Sequence, residues 1–339
     1  MMNVSLKDLR LLVLVAAGAA LLSGCERPPI DTEQVGYRGT GMVIVSNPRA
    51  PQPDLTVPTP QPPASAAGPK AGQIYQNVQV LGDLSVGQFT RAMLAMTEWV
   101  APGEGCNYCH NPANLADDSK YTKVVSRRML QMTRDINANW TAHVQDTGVT
   151  CYTCHRGKNV PAEIWFDDEP EIKRPMMADR NGQNLAMPNV GLTSLPGSPL
   201  SYYFGDNTKD NIDKIRVATE DWEPTFDDGT IQNTEMTYAL MFHMSESLGV
   251  NCNFCHNSRS FANWPESRPQ RVTAWHGLRM VSGLNHEYLT PLGPVYPDNR
   301  LGPTGDAPKA SCATCHQGVN KPLGGAKMLK DYPAALIGD

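Results

Sequence analysis

The sequence predicts a mainly α-helical protein with few short strands, built as two halves related by an approximate two-fold axis. Three observations carry this expectation. The pentapeptide Cys-x-x-Cys-His occurs four times, as Cys106–His110, Cys151–His155, Cys252–His256 and Cys312–His316. The stretch Met93-Leu-Ala-Met96-Thr-Glu98 ahead of the first copy is echoed by Met241-Phe-His-Met244-Ser-Glu246 ahead of the third. Met132-Thr-Arg-Asp-Ile-Asn137 and Thr150-Cys151 through Gly157 are echoed by Met280-Val-Ser-Gly-Leu-Asn285 and Ser311-Cys312 through Gly318. Each half therefore holds two units of helix, turn and motif.

The motif dictates the chemistry. Two thiols at this spacing form thioethers with the two vinyl groups of one haem, and the adjacent histidine lies under the iron. A single copy could be a redox dithiol or half of a zinc site. Four copies, each followed directly by His, consume eight of the nine cysteines and leave those readings little room. The expected cofactors are four covalently bound haem c groups, attached at Cys106 and Cys109, Cys151 and Cys154, Cys252 and Cys255, and Cys312 and Cys315. His110, His155, His256 and His316 are the expected proximal ligands.

Taken in order, residues 1–24 read as a signal peptide, with Lys7 and Arg10 ahead of the apolar run Leu11–Leu22. That run is too short to span roughly 30 Å of hydrocarbon. Leu22-Ser23-Gly24-Cys25 has the form of a bacterial lipoprotein box with Cys25 as lipidation site; the plainer alternative is an ordinary signal peptide beside an incidental Cys25. Acyl chains on Cys25 would anchor the chain at the periplasmic face of the bacterial inner membrane, each buried methylene contributing about 0.8 kcal/mol. Residues 25–72 form a lipid-anchored N-terminal segment with eight prolines between Ser46 and Gly72. Such a composition cannot form a helix and reads as an extended spacer. Residues 73–160 hold the first haem pair, and 161–230 a connecting segment rich in Pro, Gly, Asn and Asp with a few strands. Residues 231–339 hold the second pair and a C-terminal tail.

The formal charge is −5, and becomes −6 once residues 1–24 leave with Lys7, Asp8 and Arg10. A mildly acidic carrier attracts basic partners and has no electrostatic reason to bind nucleic acid. With only 7% aromatic residues, the porphyrins are expected to supply much of the apolar core.

The sixth ligand of each iron separates a carrier from an enzyme. Methionine closes the iron at a higher potential, a second histidine closes it at a lower one, and an open position invites substrate. Met93 and Met96 lie three residues apart and face one way on a helix, as do Met241 and Met244. Spacing does not choose within either pair. Met129 and Met132, on the helical run Val124–Ile136, are the candidates for the second iron. Aligning Met132 with Met280 puts Gly277 opposite Met129, so if Met129 is a ligand its counterpart offers no side chain. The histidines left for the fourth iron are His143, His243, His276 and His286.

Cys25-Glu-Arg-Pro-Pro, Gly36-Tyr-Arg-Gly39, the helices before each motif, Thr150 through Gly157, Pro269-Gln-Arg-Val-Thr-Ala-Trp275 and Lys330-Asp-Tyr-Pro333 carry a further reading. Over nearly the whole mature chain the sequence resembles the four-haem cytochrome subunit of purple-bacterial photosynthetic reaction centres. The resemblance implies three His/Met irons and one His/His iron: Met93 with His110, Met129 with His155, Met241 with His256, and His143 with His316. Met96, Met132, Met244 and Met280 then become packing residues. It also implies membrane partners, the L and M subunits with H in the complex, and a soluble donor, cytochrome c2 or a high-potential iron–sulfur protein.

Arg271, shortly after the third motif, is a candidate for raising a haem potential by its fixed charge; paired with Glu266 it would be an ordinary surface arginine. Glu98, Glu104, Asp117 and Asp118 flank the first motif and are candidates for docking a basic donor. The leading expectation is therefore electron transfer, not catalysis: electrons enter from a soluble carrier and re-reduce a photo-oxidised bacteriochlorophyll pair. The alternative is a free-standing periplasmic multihaem cytochrome serving a respiratory reductase or oxidase. A multihaem enzyme with an open iron is a third class, and four suitable axial residues for four irons speak against it.

Overall fold

The computed structural model describes residues 30–36, 40, 42–167, 190–206, 208–215 and 231–337. Cys25 and the expected signal peptide lie outside them. Among the described residues the body is helical, and no helix is long and apolar enough to cross a membrane. Four long helices, Val86–Val100, Tyr121–Asn139, Ile231–Leu248 and Gln270–Leu284, set its frame. Ser85 starts the first of these: its hydroxyl accepts from the Gln88 N–H while the Gln88 side chain returns to the Ser85 N–H, a reciprocal cap. The Val124–Ile136 run proves to be the middle of Tyr121–Asn139.

A few strands are expected in the connecting segment 161–230, of which residues 168–189, 207 and 216–230 lie outside the described residues. Asp31–Gln34 pairs antiparallel with Val43–Ser46 near the N-terminus. The described part of the connecting segment instead forms the helix Pro199–Phe204, a 3-10 turn Lys209–Lys214 and an isolated bridge between Trp165 and Lys309. Residues 51–65 form neither helix nor strand, as their prolines require. They are nonetheless bound to the body. The Gln61 N–H donates to the Tyr332 hydroxyl at 2.8 Å, and the Arg91 guanidinium donates to the Gln61 carbonyl at 2.8 Å.

Two helical halves close on different material. In the first, Leu81, Leu84, Ala92, Ala95, Trp99 and Leu130 pack with Leu329, Tyr332, Ala335 and Leu336 from the C-terminal tail. Arg134 fastens that tail by donating to the Ala334 and Ala335 carbonyls. In the second, Met236, Leu240, Leu278 and Val281 pack with Tyr203, Phe204 and Ile212 of the connecting segment. Each large apolar side chain so buried contributes on the order of 2 kcal/mol. Ile136, Met280 and Leu284 join the halves.

The sequence echo is realised in hydrogen bonds. Asn137 donates to the Val149 carbonyl and accepts from the Val149 N–H, and Asn285 does the same with Ala310. Gly157 N–H donates to the Trp99 carbonyl, and Gly318 N–H to that of Ser247. Arg156 reaches the Cys315 carbonyl while Gln317 reaches that of Cys154, which places the two-fold relation between the second and fourth motifs.

Candidate haem and metal-ligand sites

Motifs two and four fold as single helical turns, Cys151–His155 and Cys312–His316, capped by Thr150 with Thr153 and by Ser311 with Thr314. Both stop at a left-handed residue, Arg156 at φ 47° and Gln317 at φ 48°. Motifs one and three are 3-10 turns instead, Gly105–Tyr108 and Cys252–Phe254. In motifs one, two and four both cysteines and the histidine face one cavity.

The four motif histidines share one arrangement. Nδ1 lies 3.0 Å from the Leu115 carbonyl in His110, 2.9 Å from that of Lys158 in His155, 3.1 Å from that of Phe261 in His256, and 2.9 Å from that of Val319 in His316. A carbonyl only accepts, so Nδ1 carries the proton and Nε2 presents its lone pair. A carbonyl behind the ring is what fixes the tautomer and orientation of a metal-ligating histidine. Burial lowers the pKa of His155 and His256, with Arg271 adding to the effect at His256, and brings His316 down to about 4. The neutral, ligating form is therefore the one the fold favours.

A cavity of about 1160 Å³, above the range of roughly 300–1,000 Å³ for a single small-ligand site, runs between the halves. Cysteines of all four motifs line it, with His110, His155 and His316. Met93, Met96, Met129, Met132 and His143 line it too. The hydroxyls of Thr97 and Thr133 donate to the carbonyls of Met93 and Met129, one turn back, so these two methionines share a local environment. In the third unit Met241 and Met244 both pack against the Tyr203 and Leu240 cluster, and Met244 also lines the cavity, whereas Met241 and His256 do not.

For the fourth unit the structure brings together two distant histidines. The rings of His143 and His316 lie with centroids 6.1 Å apart. Two imidazoles on one metal, at about 2 Å per bond, place their ring centres roughly 6 Å apart. His143 Nδ1 lies 2.9 Å from the Thr273 carbonyl, and burial lowers its pKa, so its Nε2 is also free of a proton. The other histidines are engaged differently. His243 lies beside Ser247, His276 against Trp275, and His286 Nδ1 bonds the Ser282 carbonyl.

One pair of cysteines stands apart. Cys154 and Cys315 are joined as a disulfide, their Cα atoms 4.4 Å apart, while the other six motif cysteines are free. A sulfur carries either a disulfide or a thioether, so attachment at motifs two and four requires this bond in its dithiol form. The histidine tautomers fit a porphyrin at each motif, and the cavity fits one at motifs one, two and four.

Arg271 is not paired with Glu266, which accepts from Asn257. Its guanidinium donates to Ser267 Oγ and the Asn263 carbonyl and stacks over Trp264 at 3.8 Å. Of the acidic candidates, Glu98 accepts from Gln61 and Glu104 from Asn159, and Asp117 is held by Asn111 and Ser119. Asp118 is paired with Arg127 and Lys123, and its pKa is strongly lowered, first by the Arg127 hydrogen bond. Sequence reasoning missed Lys309. It is fully buried among Asp306, Asp167 and Asp206 and ties the connecting segment to the fourth motif. Only Asp306, three residues earlier, hinted at it.

The profile of a family described as photosynthetic reaction centre cytochrome C subunit matches residues 26–336. Three proteins named photosynthetic reaction center cytochrome c subunit are similar to this chain. That of Rubrivivax gelatinosus is 54% identical across 95% of this chain and 88% of its own length. Those of Thermochromatium tepidum and Roseobacter denitrificans are 48% and 44% identical, covering 96% and 95% of this chain and 80% and 90% of their own lengths.

Proposed function

The chain belongs to the photosynthetic reaction centre cytochrome c subunit family, and from that premise we propose that it takes electrons singly from a soluble carrier and returns them to the oxidised pigment pair of a reaction centre. The observation that carries the reading is the common carbonyl-backed imidazole at all four motifs. Covalently attached haem c supplies one-electron oxidation and reduction at iron. The chain's part is to hold four such groups rigidly and close to one another. The eight motif cysteines tether them; His110, His155, His256 and His316 hold the irons from one side. Met93, Met129 and Met241, the last by its equivalence to Met93, and His143 facing His316 would supply the remaining ligands. With every axial position taken, no iron is left for substrate, which favours transfer over catalysis.

The partners are then the L and M membrane subunits, with H in the complex, and cytochrome c2 or a high-potential iron–sulfur protein on the periplasmic side. Lipidated Cys25 would hold the chain to the membrane. Flash excitation of native membranes tests the reading. These haems should become oxidised just after the pigment pair does, and haems that stay reduced after every flash would refute it.

A further inference from the structure

Gly277 occupies the position of Met129 in the duplicated half, and its missing side chain is filled from across the molecule. A Cβ built on Gly277 would stand 2.5 Å from His143 Cε1 and 2.7 Å from His143 Nδ1, closer than any real Cβ contact. The His143 ring is pinned there by its Nδ1 hydrogen bond to Thr273, one turn earlier on the same helix. Met280, the nearby thioether, is buried with Ile136 and Leu284.

We infer that Gly277 is the positioning residue that decides which ligand the fourth iron receives. The inference rests on the reading that His143 and His316 share that iron. In three units the long helix would offer its own methionine. In the fourth, glycine removes it and opens the one space through which an imidazole from the other half reaches the metal. The ligand asymmetry is then produced by a deletion on one helix together with an arrival from another, and either alone would leave the iron five-coordinate or crowded.

The test uses the haem-loaded protein in native membranes, with electron paramagnetic resonance, potentiometric titration and a haem count. His143→Gly should lose the bis-histidine signal, and added imidazole should restore it. Gly277→Ala should lose the same signal although His143 is still present, because the methyl group displaces the ring. His143→Gly combined with Gly277→Met should yield a fourth His/Met centre at raised potential that no longer responds to imidazole. Retention of the signal in His143→Gly would overturn the ligand reading and the inference together. Loss in His143→Gly but an unchanged signal and potential in Gly277→Ala would overturn the role of Gly277 alone, as would a double variant holding four haems without a new His/Met centre.

Discussion

Lys309 Nζ lies 2.6 Å from Asp306 Oδ2, the lysine side chain fully buried and the aspartate 6% exposed, with Asp167 and Asp206 at 3.1 and 3.3 Å. Removing one partner of a buried ion cluster leaves the others desolvated and uncompensated. Lys309→Met should therefore destabilise the haem-loaded protein by about 3–5 kcal/mol. Loss of the Arg279–Asp213 pair, whose aspartate is 70% exposed, should cost under about 1 kcal/mol. Denaturant unfolding compares them, and equal midpoint shifts would contradict the expectation.

The same cluster gives a pH dependence. Burial pushes the Asp306 carboxyl up, but hydrogen bonds from Lys309 and the Asp167 N–H outweigh it, and the pKa stands below its ordinary 3.8. As pH falls, the unfolded carboxyl takes its proton first. This contribution to stability is whole above about pH 4 and fades below it. Unfolding midpoints measured across that window should fall less in Asp306→Asn than in the parent.

Arg271 has no carboxylate partner among the described residues and lies close enough to disfavour protonation of His256. A fixed positive charge favours the reduced iron, so Arg271→Gln should lower one potential. For a charge about 10 Å away at an effective dielectric of about 20, the shift is on the order of 50–100 mV. Redox titration should find the other three potentials nearly unmoved; a uniform shift of all four would count against a local effect.

Haem attachment and the Cys154–Cys315 bond exclude one another at two motifs. Mass spectrometry of the mature protein should show four haems and no disulfide. Fewer than four haems would count against attachment at every motif.

Cys25→Ser should abolish acylation and leave the signal segment uncleaved at that site. An unmodified Cys25 on the native mature chain would remove the lipid anchor from the proposal.

The candidate haem sites stand out in the sequence because covalent attachment would fix residue identity at fixed spacing, so Cys106–His110 and its repeats announce themselves. The duplication was legible for a related reason: Asn137 and Asn285 end the echoed strings because both amides hold the chain entering a motif. What stayed hidden depends on contacts between distant segments, which leave no periodic trace. Spacing left four histidines open for the fourth iron and only the family resemblance singled out His143; its contact with Gly277 exists only once the chain is folded. Lys309 looked like any solvated lysine, and the pairing of Asp31–Gln34 with Val43–Ser46 was not foreseen.

Because Leu329, Tyr332 and Leu336 complete the core of the first half, that half cannot be sealed until residues far downstream in the sequence have been made. Motifs one and two precede that outer wall in the chain, so their cysteines stay uncovered until residues 329–336 arrive. The tail then works as a latch that closes last. A chain cut short before Leu329 would carry its defect far from the cut in sequence, in an unshielded first half.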